Sequence, residues 1–390
     1  MLKDALKTER PTSADQVLEL VADAGAAGRR LEIIGGGTKR SIGRVTNADA
    51  VLSLAKLDTV IDYAPEELVL TAQPGAKLAD LERLVAAEGQ MLPFEPPHLI
   101  RLLGAKGDPT LGGALAANLS GPRRIRAGAA RDHFLGFEAV TGGGEAMKAG
   151  GKVVKNVTGY DLSKLMAGSW GTLAVLTEVT IKVLPAARTE VTLLFFGLDD
   201  AKACAVMATA MNAPVELSGA THLPAATAAR APLKGEMAVT ALRLEGFEAS
   251  VATRAEGLAI ALKGFGQGAQ LDAEHSRAFW VQVREVEAFH GAKGPLWRIS
   301  VPPASGWRVA EALAGVALYD WAGGLVWLLS QDDPAKIRAT VGALGGHAVC
   351  YRGRTPAFEP LGGPLAALSA RVKAAFDPKG VLNPGRMAEG

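Results

Sequence analysis

Glycine is concentrated in three stretches of this chain, each beside a strand-like run of apolar residues. Gly35-Gly36-Gly37-Thr38 follows Leu31-Glu32-Ile33-Ile34, a run of small residues extends from Thr110 to Gly121, and Gly168-Ser169-Trp170-Gly171-Thr172 leads into Ala174 to Val183. Residues without a side chain let backbone approach closely, and clustered N–H groups bind phosphate without side-chain help. Three such stretches on separate loops suit one large polyanionic ligand. The dinucleotide turn of strand, glycines and helix is excluded: Arg40 stands where its third glycine belongs, and Lys39 to Arg44 opens no apolar helix.

Charge and cysteine content narrow the function classes. With 42 basic against 40 acidic side chains the net charge is +2, which gives no basic strip for nucleic acid. Cys204 and Cys350, the two cysteines, are too few for a four-thiolate cluster, so iron–sulfur chemistry has to come from another chain. The N-terminal residues lack the apolar stretch of a secretory signal, and no run of about 18 apolar residues follows, so a cytoplasmic location is expected.

The order of elements predicts an α+β protein of several parts. Val17, Leu20, Val21 and Ala24 sit at helical spacing behind Ser13 as N-cap, and Leu78, Leu81, Leu84 and Val85 share a helix face that ends at Gly89. Met91 to Gly151 reads as helix-poor and glycine-rich. The alternating strand Ala174 to Val183 closes a first domain over residues 1–186. Strand and helix patterns then alternate through a second, α+β and ferredoxin-like domain over residues 187–352. Residues 353–390 add a helix around Ala366 to Phe376 and the turn-rich Asp377-Pro378-Lys379-Gly380-Val381-Leu382-Asn383-Pro384-Gly385.

Taken in order, Ile33 to Thr38, Thr110 to Gly121, Lys155 to Leu162, Gly168 to Val175 and Asp377 to Gly385 resemble the successive signatures of the vanillyl-alcohol-oxidase (PCMH-type) FAD-binding family. Within it the chain is most similar to the FAD-binding E subunits of bacterial glycolate oxidases, through Gly121-Pro122-Arg123-Arg124, Gly128 to Asp132, Leu296 to Val301 and Asp320 to Gly324. The resemblance implies a two-lobed FAD domain, a cap over the flavin and a C-terminal segment that packs back near it. Gly35, Gly36, Gly37, Thr38 and Lys39 would form the first pyrophosphate loop, and Gly75 would bound a turn beside the cofactor. Thr110, Leu111, Gly112, Gly113, Asn118, Ser120 and Gly121 would line flavin and diphosphate from the other lobe. Gly168, Gly171, Thr172 and Val175 would cover the ribityl and adenosine side, with Asn383 joining from the tail. Relatives often carry Glu where Trp170 stands and Gly where Ala174 stands. Relatives with covalent flavin carry a histidine in the first loop, where this chain has Thr38-Lys39-Arg40, so FAD is expected without a covalent link.

Flavin oxidation of a 2-hydroxy acid needs a cation for the carboxylate and a base for the hydroxyl proton. Arg298 on a cap strand is the candidate cation, with a structural salt bridge as its other reading, and Lys155 reads either as a lysine that stabilises reduced, anionic flavin or as a surface lysine. None of the six histidines stands in the metal-site setting of self-sufficient relatives; His275 comes nearest. Arg123, Arg124, Arg126 and Arg131 read either as an anion-facing or docking patch or as a solvated loop. The six tryptophans read as core, a buried subunit interface or a flavin-facing pocket. The resemblance implies a larger FAD subunit that carries the small 2-hydroxy acid substrate and an iron–sulfur subunit that takes the electrons, the whole peripheral at the inner face of the cell membrane. Alternatives are a self-sufficient FAD-dependent 2-hydroxy acid dehydrogenase that uses Arg298, and a scaffold without redox function. UDP-N-acetylenolpyruvoylglucosamine reductase shares the FAD fold, but its cap and tail are a poor match.

Overall fold

The computed structural model describes residues 6–44, 46–152, 159–231, 235–266, 268–353 and 355–387. Near the N-terminus, helix Ala14–Ala26 starts where Ser13 Oγ accepts the Gln16 N–H at 3.2 Å, and it buries Val17, Val21 and Ala24. That face covers a three-stranded parallel sheet in the order Thr8–Glu9, Ala50–Ser53, Leu31–Ile34. A second lobe is built on a five-stranded antiparallel sheet in the order Val60–Ala64, Val69–Ala72, Ala174–Lys182, Phe134–Thr141, Ala146–Gly150. Helix Leu78–Ala87 packs Leu78, Leu81 and Val85 into its core. Val140 and Val175, from the antiparallel sheet, belong to the first lobe's core, so the lobes are joined at one edge and open at the other.

The region that reads as helix-poor holds three short helices, Ile100–Leu103, Leu111–Ala116 and Arg124–Ala127, besides the strand Phe134–Thr141. Leu111–Ala116 escapes sequence reasoning because Gly112 and Gly113 lie inside it, and glycine disfavours helix by about 1 kcal/mol. Packing outweighs that cost: a Cβ on Gly112 would stand 2.5 Å from Pro74 Cβ, so only glycine lets this helix sit against the turn.

The cap contains the ferredoxin-like pattern twice. Thr189–Phe196, helix Asp200–Asn212, Gly219–Leu223, Val239–Gly246, helix Glu248–Ala261 and Ala269–Leu271 form one βαββαβ unit. Leu296–Ser300, helix Gly306–Ala312, Val316–Asp320, Leu325–Leu329, helix Pro334–Ala343 and His347–Arg352 form the other. The second strand of each unit pairs with that of the other at His222 and Tyr319, which makes one continuous eight-stranded sheet. The four helices share one face with Val206, Leu258, Val309 and Ile337. Helix Ala273–Arg284, between the two units, covers the opposite face with Phe279, Trp280 and Val283 beside Ile42, Leu99 and Leu102 of the first domain. Trp280 and Trp297 are 1% and 0% exposed; burying roughly 200 Å² of each is worth about 5 kcal/mol in transfer free energy.

Four charges lock the cap to the two lobes. Arg243, on a cap strand, donates from Nη1 and Nη2 to Glu95, both at 3.0 Å. Arg123 gives its backbone N–H to Glu95 at 2.9 Å and its guanidinium to Glu245 at 3.0 and 2.6 Å. Burial alone would raise the Glu245 pKa, but the Arg243 and Arg123 charges overcome it and hold the carboxyl at about 2. The arginine-rich segment is therefore no single patch: Arg123 is spent in this lock, Arg126 pairs with Glu216 at the surface, and Arg131 lies beside Asp132.

Arg243→Met leaves Glu95 and Glu245 buried with half their compensation. It is expected to destabilise the protein by about 3–5 kcal/mol, whereas Arg126→Met, at an exposed pair, should cost under about 1 kcal/mol in urea titrations of both variants.

Candidate functional site in the cleft between the lobes

The open side between the lobes is a cleft that reaches solvent. One wall is the segment from Ile33 to Arg40 with Leu54; the other is Pro74, Thr110 to Ala117 and Met166 to Leu176, and Arg386 closes it from the tail. The glycines here serve contact between loops first. A Cβ on Gly36 would lie 1.8 Å from Asp108 O, and one on Gly35 would lie 2.3 Å from Thr110 Oγ1. Thr110 uses the same oxygen to accept the Gly113 N–H at 3.3 Å, which fixes the start of helix Leu111–Ala116. Trp170 enters the cleft with φ 53°, a left-handed conformation that a bulky residue rarely adopts, and neighbouring Gly171 has φ 67°.

Two cations are buried in this wall. Lys39 is 8% exposed and gives Nζ to Thr38 Oγ1 at 3.1 Å; burial pulls its pKa down to about 8 against a weak pull from Glu285. Arg386 is 5% exposed, donates to Lys39 O at 2.8 Å and stands 5.5 Å from the centre of the Trp170 ring. Among the described residues no carboxylate lies in ion-pair range of either. Glu32, the acid on the neighbouring strand, is taken by Arg40. Buried cations without acids call for an anionic ligand.

Of the residues named from sequence, Gly35, Gly36, Gly37, Thr38, Lys39, Thr110, Gly112, Gly113 and Gly171 line the cleft. Gly75 stands behind it, where a Cβ would meet Leu54 O at 2.2 Å. Leu111 and Val175 are core residues. Thr172 ties its hydroxyl to Ser169 O at 2.7 Å, and Asn118 accepts the Arg131 N–H at 3.1 Å. Gly168, with φ 87°, makes the turn before Trp170. Asn383 does not present its amide to the cleft. Its Oδ1 accepts the Ile33 N–H at 2.8 Å and its Nδ2 donates to Trp170 O at 2.9 Å, so it staples both walls from behind. The staple is held by Asp377, which accepts the Val381 and Leu382 N–H groups at 2.9 and 2.8 Å.

Ser120, Gly121 and Arg298 line a separate, smaller pocket between the lobes and the cap. Lys155 lies outside the described residues. His275 is an exposed helix residue paired with Asp272, and no group of three His, Cys, Asp or Glu is placed to hold a metal among the described residues. Cys204 and Cys350 are buried, and burial pushes both thiols up to about 11. Arg386 and the burial of Lys39 escape sequence reasoning; the only signal is a basic residue after Asn383-Pro384-Gly385.

The FAD binding domain family matches residues 7–150. Glycolate oxidase subunit GlcE of Escherichia coli (strain K12) is 36% identical over 95% of this chain and 96% of its own length. Glycolate oxidase subunit GlcD of Bacillus subtilis (strain 168) is 34% identical over 38% of this chain and 30% of its own length. Among solved structures p-cresol methylhydroxylase superposes with a TM-score of 0.74 at 15% identity, covering 98% of this chain and 88% of that one, which shows the two-lobed fold with its cap. FAD is the cofactor of this chain.

A lysine that must be charged while buried weakens the ligand-free fold. Its folded pKa of about 8 lies below the unfolded value, so the ligand-free protein should gain stability as pH rises from about 8 towards 10.5. Lys39→Met should remove that slope and raise the melting temperature of the ligand-free chain at pH 7.

Proposed function

The chain belongs to the family of glycolate oxidase subunit GlcE, and on that premise we propose that it is the FAD-binding subunit of a complex that oxidises glycolate, a 2-hydroxy acid, to glyoxylate. The observation that carries this reading is the pair of buried, acid-free cations, Lys39 and Arg386, in the wall of the interlobe cleft. Bound there, FAD supplies the acceptor for the two electrons and the hydrogen that leave the hydroxy acid. The chain's own part is to hold and orient it. Lys39 and Arg386 would neutralise the diphosphate, and the Gly35 to Thr38 loop would help hold it. Trp170 and the segment from Thr110 to Ala117 shut water out of the cleft.

The partners of this reading are a larger FAD subunit, for which the resemblance to GlcD speaks, and an iron–sulfur subunit that takes the electrons. Both thiols of this chain are buried in the cap and protonated at neutral pH, which suits electron acceptors on another chain. Thr38, Lys39 and Arg40 give the first loop no histidine for a flavin linkage, in keeping with FAD held without a covalent bond. No helix among the described residues is long and apolar enough to cross a membrane, so attachment at the inner face of the cell membrane would come through the complex.

The purified chain should be yellow and should release its FAD into the supernatant on acid precipitation; a colourless chain that takes up no added FAD overturns the reading. Lys39→Met should weaken FAD binding by about tenfold or more. The diphosphate raises the Lys39 pKa on binding, so wild-type affinity should fall as pH rises above about 8 while the variant stays flat. Glycolate added anaerobically with the partner subunits should bleach this flavin.

A further inference from the structure

One short turn reaches from the cleft into the apolar layer beneath the cap sheet. Lys39 lines the cleft, and Ile42, three residues on, is fully buried in the cluster that holds Phe279, Trp280 and Val283 of helix Ala273–Arg284. A single carbonyl sets the turn: Lys39 O accepts the Ile42 N–H at 3.1 Å and Arg386 Nη2 at 2.8 Å. Gly43, at φ 98°, lets the turn pass close by, since a Cβ there would stand 3.1 Å from Arg386 Cγ and 3.4 Å from Phe358 Cε2. The Arg44 N–H then donates to Arg386 O at 3.1 Å. A shift of either cation therefore disturbs the seat of Ile42.

The opposite wall makes the same connection. Trp170 lines the cleft, and its ring meets that of Phe358 edge to face at 5.3 Å; both rings pack against the same cluster. From the cap side Glu285, directly after helix Ala273–Arg284, accepts the His98 and Leu99 N–H groups at 3.1 and 2.9 Å. Its charge also acts on buried Lys39, from beyond ion-pair range. Seating Ile42 under the cap thus buries Lys39 and Arg386 with no acid beside them among the described residues. Burying a cation without a counter-charge is unfavourable. In the ligand-free chain the cleft therefore opposes the seating of the cap, and an anion in the cleft removes that opposition.

We propose that the turn from Lys39 to Ile42 couples FAD loading to the seating of the cap, with Ile42 as the positioning residue for Lys39. The proposal rests on the reading of the cleft as the FAD site and adds its regulation. With a diphosphate in place Lys39 and Arg386 are compensated, the turn holds Ile42 in the cap cluster, and helix Ala273–Arg284 opens less often. Coupling of this kind is reciprocal: whatever loosens Ile42 weakens FAD binding by the factor that the cap loses in protection. The chain then presents a firmly seated cap to its partner subunits only when it carries FAD.

The test is amide hydrogen exchange, read peptide by peptide, on the full-length chain stripped of FAD and again at saturating FAD, with FAD affinity titrated on the same samples. In wild type, saturation should slow exchange in helix Ala273–Arg284 by about tenfold. Ile42→Ala should weaken FAD binding by about tenfold and, at equal saturation, leave less than about a twofold slowing of that helix. Ile42→Val, with one methyl fewer, should lose about threefold in both. Ile337→Ala, a truncation of the same size on the far face of the cap sheet, should keep both the affinity and the slowing. If Ile42→Ala does not fold, Ile42→Val decides. A wild-type chain that takes up FAD while exchange in the helix stays unchanged overturns the inference, as does an Ile42 variant that binds FAD and slows the helix like wild type. A wild-type chain that takes up no FAD fails the cleft reading instead.

Discussion

The buried lock of Glu95, Arg123, Arg243 and Glu245 determines where the cap sits, and everything between cap and lobes depends on it. The four charges alternate, and each side contributes one acid and one base, so neither side can bury its charges without the other. Arg243 also stands over the Trp280 ring at 4.6 Å, which couples the lock to the apolar layer beneath the cap sheet. Ion pairs of this kind add little net stability over an apolar substitute, but they are intolerant of displacement. The pocket of Arg298 and Asp320 lies along the same seam, and Glu95 acts on both.

The cleft shows a second economy. Its glycines suggest ligand contact in sequence, yet Gly35 and Gly36 are needed first because loops of opposite lobes pass within one another's side-chain space, and Gly112 because helix Leu111–Ala116 sits against Pro74. Close approach of the loops leaves little room for water, and in such surroundings the charges of Lys39 and Arg386 act strongly on whatever anion enters. Charge and shape in the cleft thus have one origin.

Sequence reasoning reaches local features and stops at long-range ones. The Ser13 cap, the alternating strand at Ala174 and the glycine loops are visible because each is encoded within a dozen residues. The duplicated βαββαβ unit is not, since strands such as Gly219–Leu223 are buried at every position and lose the alternation that marks a strand. Helix Leu111–Ala116 hides behind its own glycines. The lock cannot be read from sequence at all, because Glu95 and Arg243 are 148 residues apart and each alone looks like an ordinary surface charge. Lys39 is named from its loop, but its burial comes from packing against the tail.

The Asn383 staple sets an order of events in time. It joins Ile33 to the tail across 350 residues of sequence, and Arg386, the second cation of the cleft, lies still further along. During synthesis the first loop has left the ribosome long before the residues that fasten it, and closing so long a loop is slow as well as costly in entropy. The first lobe's core also waits for the tail, since Val381 and Leu382 pack into it. The cleft gains its rear wall only at the end, so cofactor capture is a late step of maturation.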